Sequence, residues 1–590
     1  MSPDISDALS DAFDGFSIGD ETVEECLIIA LDFGTTYSGI AYAFASDPEN
    51  VRVIQSWPGE DRIVSKAPTT IRYEPGYIKG LKWGYDLDCS SGEKIERIKL
   101  LFDPEQPKPY CPCTNFEAEN AKLPKHVVNV ASDYMRAIFQ HAIKAIGDGY
   151  MDRESLSQMK RQCVLTVPAL WSDKAKNMTL QAAQTAGIAP VEMITEPEAA
   201  ALFTLHSMRS KGLKAKDAIV VCDAGGGTAD LISYEIVSLA PFEVKALTRP
   251  SGGLAGSSMI NEQFEAEIRK VVRDSQYFKL KDTGAYRLAL KDFDSVIKPG
   301  FRGKNDPVKY VSFPMADLKD NPSEGLIKNA MTLSGETLFK IFEPVVGEID
   351  RLVKEQVNNA NTKLLQDSPR KKEGVNAIFL VGGMGSSRYL KEVIQHSNPG
   401  IRVIQPEDAW AAIVRGAVMS KLPTAATVTA SVATKHYGVS VLRRWNRTRD
   451  AGWPKLKDEW TDRKLCTCMD WFIYMDDQLE RGKKIKHKFY RTFSGHKPTC
   501  NVLQITDCLY ECTSTFAPDH PQDDVEINCR LFTDLSQVPK KFFKKKTRES
   551  DGAPYCALSY SLQIENNQSG LMKYSLEIGG KEYSAVEAEY

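Results

Sequence analysis

Short apolar runs alternate with amphipathic segments along the first two thirds of the chain. Four of the runs are bounded by Gly, Pro or Asp, a pattern typical of strands buried on both faces of a sheet. They lie at 27–31, 164–167, 218–221 and 377–381. Between them, apolar positions at helical spacing predict helices over 127–146 and 335–357. Strands that alternate with helices predict an α/β domain over residues 26–422.

The pattern changes after residue 422. Residues 423–434 are small, polar and uncharged, which predicts a linker. From 435 to 590 the hydrophobic positions alternate in short stretches separated by Asn, Asp, Gly and Pro, and this predicts an antiparallel β domain. The stretches lie at 437–441, 485–493, 525–532, 558–564 and 574–578.

Length and charge narrow the possible classes of protein. A chain of 590 residues is too long for one hydrophobic core, so we expect at least two domains. A net charge of -3 gives no reason to expect a nucleic-acid surface. Residues 1–25 hold eight acidic side chains and no Lys or Arg, which predicts a flexible acidic tail and neither a secretory signal nor a mitochondrial presequence. We expect a cytoplasmic protein without a membrane span, and a nuclear location is the alternative.

The cysteines and one basic stretch each allow two interpretations. The 13 cysteines are scattered, and the closest groupings are Cys111 with Cys113, Cys466 with Cys468, and Cys508 with Cys512. Zinc sites usually show paired ligands at regular spacing, so buried reduced thiols are favoured over a structural zinc. The lysine-rich stretch 540–546 suits a nuclear-import or nucleic-acid patch, but a solvated loop is favoured in a slightly acidic chain.

A weak internal repeat carries the strongest chemical signal. A strand, a glycine-containing turn and a second strand occur at 27–44 and again at 219–236, so that Asp32 and Asp223 are 191 residues apart. Such turns direct several backbone N–H groups into one concavity that suits a phosphate, and glycine lets the phosphate approach the backbone. The turn residues are Gly34, Thr35, Thr36, Gly225, Gly226, Gly227 and Thr228.

An aspartate at the end of each first strand completes this site. Asp32 and Asp223 would repel a triphosphate unless a cation lay between them, and Mg²⁺ binds through one or two carboxylates, waters and phosphate oxygens. Two unrelated glycine-rich hairpins are the alternative, but two copies with matched aspartates make coincidence a poor explanation. The chain has neither a Gly-x-x-x-x-Gly-Lys-Ser/Thr loop nor a Gly-x-Gly-x-x-Gly after a strand. The pattern therefore predicts ATP bound with Mg²⁺ between two similarly built lobes.

The two turns belong to a series of motifs that resembles one family. Residues 31–38 and 223–230 resemble the phosphate motifs of the seventy-kilodalton heat-shock chaperones, 165–169 and 194–201 their connecting segments, and 381–387 their adenosine motif. The matches follow the family order over 27–422, and the connecting segments favour this branch over actin and the sugar kinases. The resemblance implies an actin-like, two-lobed ATPase domain with duplicated ribonuclease H-like halves, followed by a smaller mainly-β domain.

The resemblance also implies a role for each matching residue. Asp32 and Asp223 would hold Mg²⁺ through water, and the turn residues would bind the phosphates. Asp230 and Glu196 would orient or deprotonate the attacking water, and Thr228 would contact the γ-phosphate. Lys99 is the candidate catalytic lysine, with an ordinary surface lysine as the alternative. The remaining residues expected at the nucleotide are Gly382, Gly383, Met384, Lys298 and Glu407.

Several positions depart from the family pattern. The adenosine motif lacks arginine at the usual position, and Arg388 follows two positions later. Around Asp294 only part of a charged pattern remains, and Pro299 and Gly300 should end that helix. The linker is polar and lacks an acid. The C-terminal part, with Trp471-Phe-Ile at 471–473, resembles the divergent branch numbered twelve in animals and abundant in fungi, without the helical lid.

These features leave three functional hypotheses. The leading one is a chaperone or switch that hydrolyses ATP slowly and acts on protein clients through residues 435–590, with co-chaperones as further partners. Lobe closure would bias the β domain through Pro168 and the linker. The second is a nucleotide-dependent scaffold or sensor with little or no hydrolysis. The third, a small-molecule kinase, is disfavoured because the C-terminal part is unlike a sugar-kinase lobe.

Overall fold

The computed structural model of the chain describes residues 25–590 with ten gaps. The gaps are 75–79, 88–93, 104–119, 151–152, 209–211, 369–373, 424–425, 462, 496–502 and 568–569. The predicted acidic tail, apart from Glu25, lies outside the described residues, and so do Cys111 and Cys113.

The described residues contain 29 β-strands and twelve α-helices. The first strands are β1 (Cys26–Asp32), β2 (Tyr37–Phe44), β3 (Arg52–Val53), β4 (Ala67–Pro68), β5 (Ile71–Tyr73), β6 (Leu81–Trp83), β7 (Lys160–Val167), β8 (Val191–Thr195), β9 (Ala218–Ala224), β10 (Ala229–Leu239), β11 (Phe242–Ala246) and β12 (Ser251–Gly253). They are followed by β13 (Lys309–Ser312), β14 (Leu326–Ile327), β15 (Ala330–Leu333), β16 (Val375–Val381), β17 (Arg402–Ile404), β18 (Thr427–Val432), β19 (His436–Arg444), β20 (Leu456–Lys457), β21 (Lys464–Ile473) and β22 (Gln478–Glu480). The last are β23 (Ile485–Ser494), β24 (Gln504–Cys512), β25 (Val525–Asp534), β26 (Lys544–Thr547), β27 (Pro554–Asn566), β28 (Met572–Ile578) and β29 (Lys581–Glu589).

Among the described residues, the α-helices all lie before residue 420. They are α1 (Val127–Tyr150), α2 (Arg153–Gln158), α3 (Asp173–Thr185), α4 (Glu196–Met208), α5 (Ser257–Val272), α6 (Asp274–Leu280), α7 (Gly284–Asp292), α8 (Lys298–Gly300), α9 (Gly335–Asp367), α10 (Gly382–Gly385), α11 (Arg388–Ser397) and α12 (Ala412–Met419). A π-helical segment, Phe293–Ile297, joins α7 to α8, and the helix ends at Gly300 as its Pro-Gly pair predicts. None of these helices combines the length and the apolar character that crossing a bilayer requires.

Two sheets of the same design form two lobes. The first has the order β3-β2-β1-β7-β8, and the second contains β11-β10-β9-β16-β17 in the corresponding order. In each sheet, two antiparallel strands form a hairpin. The first strand of the hairpin, β1 or β9, pairs on its other side with a parallel strand, and a second parallel strand follows at the edge. Strand β9 is buried along its whole length because both faces of the sheet are covered. The predicted α/β, actin-like two-lobed architecture with duplicated halves is confirmed.

Helices α4 and α12 pack between the two sheets. One continuous hydrophobic core joins Ile28 and Val164 of the first sheet, Val221 of the second, and the buried faces of both helices. The helices cross so closely that a Cβ on Gly416 would lie 1.7 Å from the carbonyl oxygen of Ala199. Helices α4 and α12 therefore connect the cores of the two sheets by direct packing.

The C-terminal residues form a mainly-β region, as the alternating pattern predicts. Ten strands make one sheet in the order β20-β21-β19-β24-β25-β29-β28-β27-β23, with β26 paired to β27. The lysine-rich stretch, expected to be a loop, instead contributes the exposed edge strand β26. Lysines on an edge strand keep other chains from adding to the sheet, so the same solvated charges suit a strand.

The segment predicted to be a linker is hydrogen-bonded. Within it, β18 pairs with β11 of the second lobe on one side and with β22 of the C-terminal region on the other. The second-lobe sheet therefore continues into the C-terminal part of the chain. The proposed division into domains at 422 and 434 stays a prediction.

Candidate functional site

The two glycine-containing turns face each other across the lobes. A Cβ placed on Gly226 would lie 2.0 Å from Thr36 Oγ1, and one on Gly227 would lie 2.8 Å from Thr35 Oγ1. The turns are thus close enough that only glycine fits on the second one. The repeat seen in the sequence accordingly brings the predicted phosphate-binding residues into one place.

Local packing explains the form of each turn. In the first, a Cβ on Gly34 would overlap the carbonyl oxygen of Tyr37, at 2.1 Å. The second turn is held on the amino end of α5, where Ser257 N donates to Gly225 O at 3.1 Å and Ser258 N donates to Gly226 O at 2.8 Å. Glycine is needed because other atoms approach these positions so closely. Within the turns, Gly34 N donates to Ser38 Oγ at 3.3 Å and Gly225 N donates to Thr228 O at 2.8 Å.

A group of six buried charged residues lies at the strand ends behind the turns. We call it the carboxylate cluster, and it consists of Asp32, Lys66, Lys99, Glu196, Asp223 and Asp230. None of the six is more than 5% exposed. Asp32 ends β1, Asp223 and Asp230 lie opposite each other on β9 and β10, and Glu196 begins α4. Lys99 lies on a 3-10 turn, Ile98–Phe102, and its side chain is buried, so it is not a surface lysine.

Specific contacts join the members of the cluster. Lys66 Nζ donates to Asp32 Oδ2 at 2.5 Å, and Thr166 Oγ1 donates to Asp32 Oδ1 at 2.9 Å. Lys99 forms an ion pair with Glu196. The hydroxyl of Thr228 hydrogen-bonds to Asp230. Four of the five predicted acidic residues, all except Glu407, therefore meet the predicted catalytic lysine in the structure.

The environment separates the pKa values of these carboxyl groups. Burial acts to raise the pKa of Asp32, but the ammonium groups of Lys66 and Lys99 hold it below its usual value. Burial, with the carboxylates of Glu196 and Asp230 nearby, raises the pKa of Asp223 well above its usual value. Burial also raises the pKa of Asp230, and it raises that of Glu196 to about 7. One carboxylate is thus held charged while three resist ionisation.

The cluster fits a divalent cation. Four carboxylates and two ammonium groups sum to a charge of −2 when all are ionised. Asp223 Oδ1 and Asp230 Oδ2 are buried and have no hydrogen-bond partner. Such groups are normally satisfied, and hard oxygen ligands of this kind suit Mg²⁺. The residues present are therefore compatible with Mg²⁺ and a phosphate-bearing ligand.

The predicted adenosine residues are only partly brought to this site. Gly382 lies beside the cluster with a φ of +83°, and a Cβ there would lie 2.2 Å from Asp223 Oδ1. Gly383 lies next to Trp410, its built Cβ being 3.6 Å from the indole Nε1. The side chain of Met384, in contrast, is buried in the core of the second lobe, so only its backbone can face a nucleotide.

Of the polar residues expected near adenine, the pair Lys298–Asp294 is linked to the first turn, because Tyr37 OH donates to Asp294 Oδ2 at 3.4 Å. Lys298 pairs with Asp294 and donates to Asn261 Oδ1 at 3.0 Å. Glu407 and Arg388 are exposed, and no hydrogen bond or ion pair recorded among the described residues joins either to the carboxylate cluster.

Sequence reasoning did not identify Lys66, Thr166 or Trp410. Lys66 follows an irregular loop and reaches Asp32 only because the short strand β4 pairs with β2. Trp410 contacts Tyr37 edge-on, with ring centroids 5.5 Å apart, and so places an aromatic surface at Gly383. No local pattern marks these residues, since each acts through a contact with a distant segment.

Comparison with known proteins agrees with this geometry. The family model described as Hsp70 protein matches residues 132–277, which include the second turn and Glu196. Heat shock 70 kDa protein 12A from Homo sapiens is 26% identical, with 81% of each chain covered. Heat shock 70 kDa protein 12B from Homo sapiens is 25% identical over 80% of this chain and 79% of its own. Chaperone protein DnaK from Mycoplasma mobile is 26% identical over 46% of this chain and 42% of its own. These matches confirm the heat-shock-70 resemblance and fit its divergent type-twelve branch.

Asp32 and Asp223 lie in opposite charge environments. Replacing each by Asn should therefore change the free energy of unfolding in opposite directions. Without nucleotide or Mg²⁺, Asp223→Asn should raise the free energy of unfolding by about 1 kcal/mol, because it removes a carboxyl group whose charged form is disfavoured by burial and by the neighbouring carboxylates. This gain should be larger at pH 8 than at pH 5, because a raised native pKa means that ionising Asp223 costs stability as the pH rises. Denaturant titrations at both pH values measure these changes.

Asp32→Asn serves as the matched variant. It leaves Lys66 buried without its carboxylate and should lower the free energy of unfolding by about 3–5 kcal/mol. The native pKa of Asp32 is lowered, so its contribution is present above the unfolded pKa and is lost as the pH falls. Equal destabilisation by both substitutions would contradict the proposed charge distribution.

Proposed function

We propose that this chain, a divergent heat-shock-70-like protein of the type-twelve branch, is a nucleotide-controlled switch that binds ATP with Mg²⁺ and hydrolyses it slowly. The observation that carries the proposal is the carboxylate cluster directly behind two facing glycine turns. The turns supply backbone N–H groups for phosphates, and the cluster supplies an unbalanced negative charge for a cation.

The proposed roles follow from position and contact. The backbone N–H groups of Gly34–Thr36 and Gly225–Thr228 would bind the phosphates, and Asp32 and Asp223 would hold Mg²⁺ through water. When bound, Mg²⁺ neutralises phosphate charge and orients the phosphate oxygens. Lys66, already bonded to Asp32, fixes that carboxylate and adds positive charge on the same side.

Three residues are suited to handling the attacking water. A general base works best when its pKa lies near the working pH, and burial raises the pKa of Glu196 to about 7. Lys99 holds Glu196 by an ion pair and so fixes its orientation. Asp230, hydrogen-bonded to Thr228, has one buried oxygen left to accept from water. The arrangement can position a water and remove its proton without covalent catalysis.

A short helical turn links this site to the C-terminal region. Glu196 and Glu198 both lie in the first turn of α4. Glu198 pairs with Arg481, which follows β22, so one turn of helix contacts both the cluster and the C-terminal part. A second link joins Asn528 Nδ2 to Asp173 Oδ2 at 2.8 Å, at the start of α3 close after Pro168. We infer that a shift of the lobes on nucleotide binding reaches residues 435–590.

Protein partners are the proposed targets of this switch. The C-terminal region would bind a protein client and change its hold with the nucleotide state, and co-chaperones would regulate exchange. This proposal is supported by the similarity to Chaperone protein HscA homolog from Rickettsia bellii and to Chaperone protein DnaK from Mycoplasma mobile. We propose a cytoplasmic location, with the nucleus as the alternative.

A nucleotide-dependent scaffold or sensor is the second candidate. It is favoured by the altered adenosine motif, in which Met384 is buried and Arg388 is exposed. A weakened adenine contact reduces specificity for ATP while leaving phosphate and Mg²⁺ binding intact. Binding and hydrolysis measurements separate this candidate from the switch.

ATP binding should depend on both Mg²⁺ and Asp223. Calorimetric titration of the full chain should detect ATP–Mg²⁺ binding, and Asp223→Asn should weaken it by about tenfold or more, since a carboxylate that holds the cation through water is lost. The exposed Asp282→Asn is the control and should bind as the wild type does. Failure of the wild-type chain to bind ATP–Mg²⁺ overturns the proposal.

Hydrolysis should depend on Glu196. In single-turnover measurements with labelled ATP, Glu196→Gln should slow the reaction by about 10²-fold or more, because the proton acceptor is removed. ATP binding by this variant serves as the control and should change little. A wild-type rate no faster than that of Glu196→Gln would favour the sensor.

Coupling should require the Glu198–Arg481 pair. Hydrogen exchange over residues 435–590 should change when ATP–Mg²⁺ is added, and Arg481→Ala should remove that change while ATP binding is retained. Lys483→Ala, which removes an exposed lysine two positions away, should respond as the wild type does. An unaltered response in Arg481→Ala would rule out this route of coupling.

A further inference from the structure

Four buried side chains with metal-ligating atoms meet in the C-terminal region, far along the chain from the carboxylate cluster. They are Asp450, Cys466, Cys468 and His520, and we call them the thiol cluster. One ligand atom from each lies within 4.8 Å of every other. Their exposed fractions are 0%, 1%, 0% and 4%. Cys, His and Asp side chains all bind zinc, and structural zinc sites use four ligands.

The two cysteines share a face because of strand geometry. Cys466 and Cys468 lie on β21, and side chains two positions apart on a strand point to the same side of the sheet. Neither forms a disulfide. The sheet therefore supplies a rigid pair of sulfur atoms, and the other two donors come from the loops that cover this side.

Both loops are fixed by contacts that orient their donors. Asp450 is held because its Oδ2 accepts from Asn446 N at 2.6 Å. The His520 ring stacks on Trp453, with the centroids 4.5 Å apart and the planes 5° from parallel. Pro518, two residues before His520, is also held, because its carbonyl oxygen accepts from Trp471 Nε1 at 2.7 Å. The imidazole and the carboxylate are thus positioned by partners other than the sulfur atoms.

The distances approach those of a tetrahedral zinc site. Zinc bonds of about 2.0–2.3 Å place neighbouring ligand atoms about 3.3–3.8 Å apart. His520 Nε2 and Asp450 Oδ1 are 3.2 Å apart, close to the expected nitrogen–oxygen edge. The widest pairs need to close by about 1 Å at most, a change within the reach of small side-chain rotations.

The charges around the cluster also suit a bound zinc ion. Two thiolates and one carboxylate carry −3, and a divalent ion reduces this to −1. The guanidinium groups of Arg443 and Arg449 lie 3.5 Å and 3.2 Å from Asp450 Oδ1 and can balance that remaining charge. Thiolate and imidazole donors in a tetrahedral arrangement select zinc over the hard cations Mg²⁺ and Ca²⁺.

We propose that Asp450, Cys466, Cys468 and His520 form a structural zinc site that pins two loops to β21. The proposal reverses the preference for buried thiols that the sequence alone supports. All four donors are used and the cluster is buried, so the site has no open coordination position for catalysis. Its role is to stabilise the C-terminal region, and it does not depend on the proposed ATPase function.

Metal analysis of the full chain tests the proposal. Protein purified without chelator from zinc-supplemented cells should contain one zinc per chain by elemental mass spectrometry. Replacement by Co²⁺ should produce the intense visible absorption of a tetrahedral cobalt–thiolate site. Cys468→Ser should bind zinc about tenfold more weakly or worse. Cys529→Ser, which alters another buried thiol of the same region, should keep wild-type zinc content.

Measurements on the wild type and on the variants can each contradict the zinc proposal. Wild-type protein that lacks zinc and takes up neither Zn²⁺ nor Co²⁺ overturns the proposal. So does zinc retained by Cys468→Ser, or a Cys466–Cys468 disulfide found by mass spectrometry in the wild type. If Cys468→Ser does not fold, the cobalt spectrum of the wild type and a fall in its melting temperature on addition of EDTA decide the question.

Discussion

Four buried carboxyl groups between the lobes, only partly matched by two lysines, are the constraint on which the rest of the structure depends. Asp32, Glu196, Asp223 and Asp230 lie at the ends of strands and at the start of a helix, and all four are buried. Lys66 and Lys99 neutralise part of this charge. Burial of unpaired charge is costly, so a fold that retains it gains from binding a cation.

The same constraint explains the position of the glycine turns and of helix α4. The turns bring backbone donors toward the place where a cation would attract phosphate, and no side chain could occupy Gly226 without striking Thr36. Helix α4 begins with Glu196 in the cluster, continues through the core shared by both sheets, and carries Glu198 to Arg481. The first turn of helix α4 therefore contacts both the carboxylate cluster and the C-terminal region.

Local patterns accounted for most of the fold and for part of the site. The central strands, the long helices, the two turns and the duplicated design follow from hydrophobic periodicity and from a repeat. Lys99 was accessible through the family resemblance alone, since nothing in its neighbourhood marks it as buried. The role of Lys66 could not be predicted from the sequence, because it depends on pairing between β2 and β4. The polar stretch 423–434 gave no sign of a strand, because β18 is stabilised by partners on either side.

The sequence by itself determined the α/β lobes, the β-rich C-terminal part and the phosphate-type turns with their aspartates, because short-range spacing is enough to specify strands, turns and strand ends. Tertiary structure alone decided which charges meet. It buried Lys99 against Glu196, gave Asp223 no cation of its own, and turned Met384 into the core. It also brought Asp450 and His520 to Cys466 and Cys468, although they lie 16 positions before the first and 52 after the second. Long-range strand pairing and packing set these distances, and no local pattern encodes them.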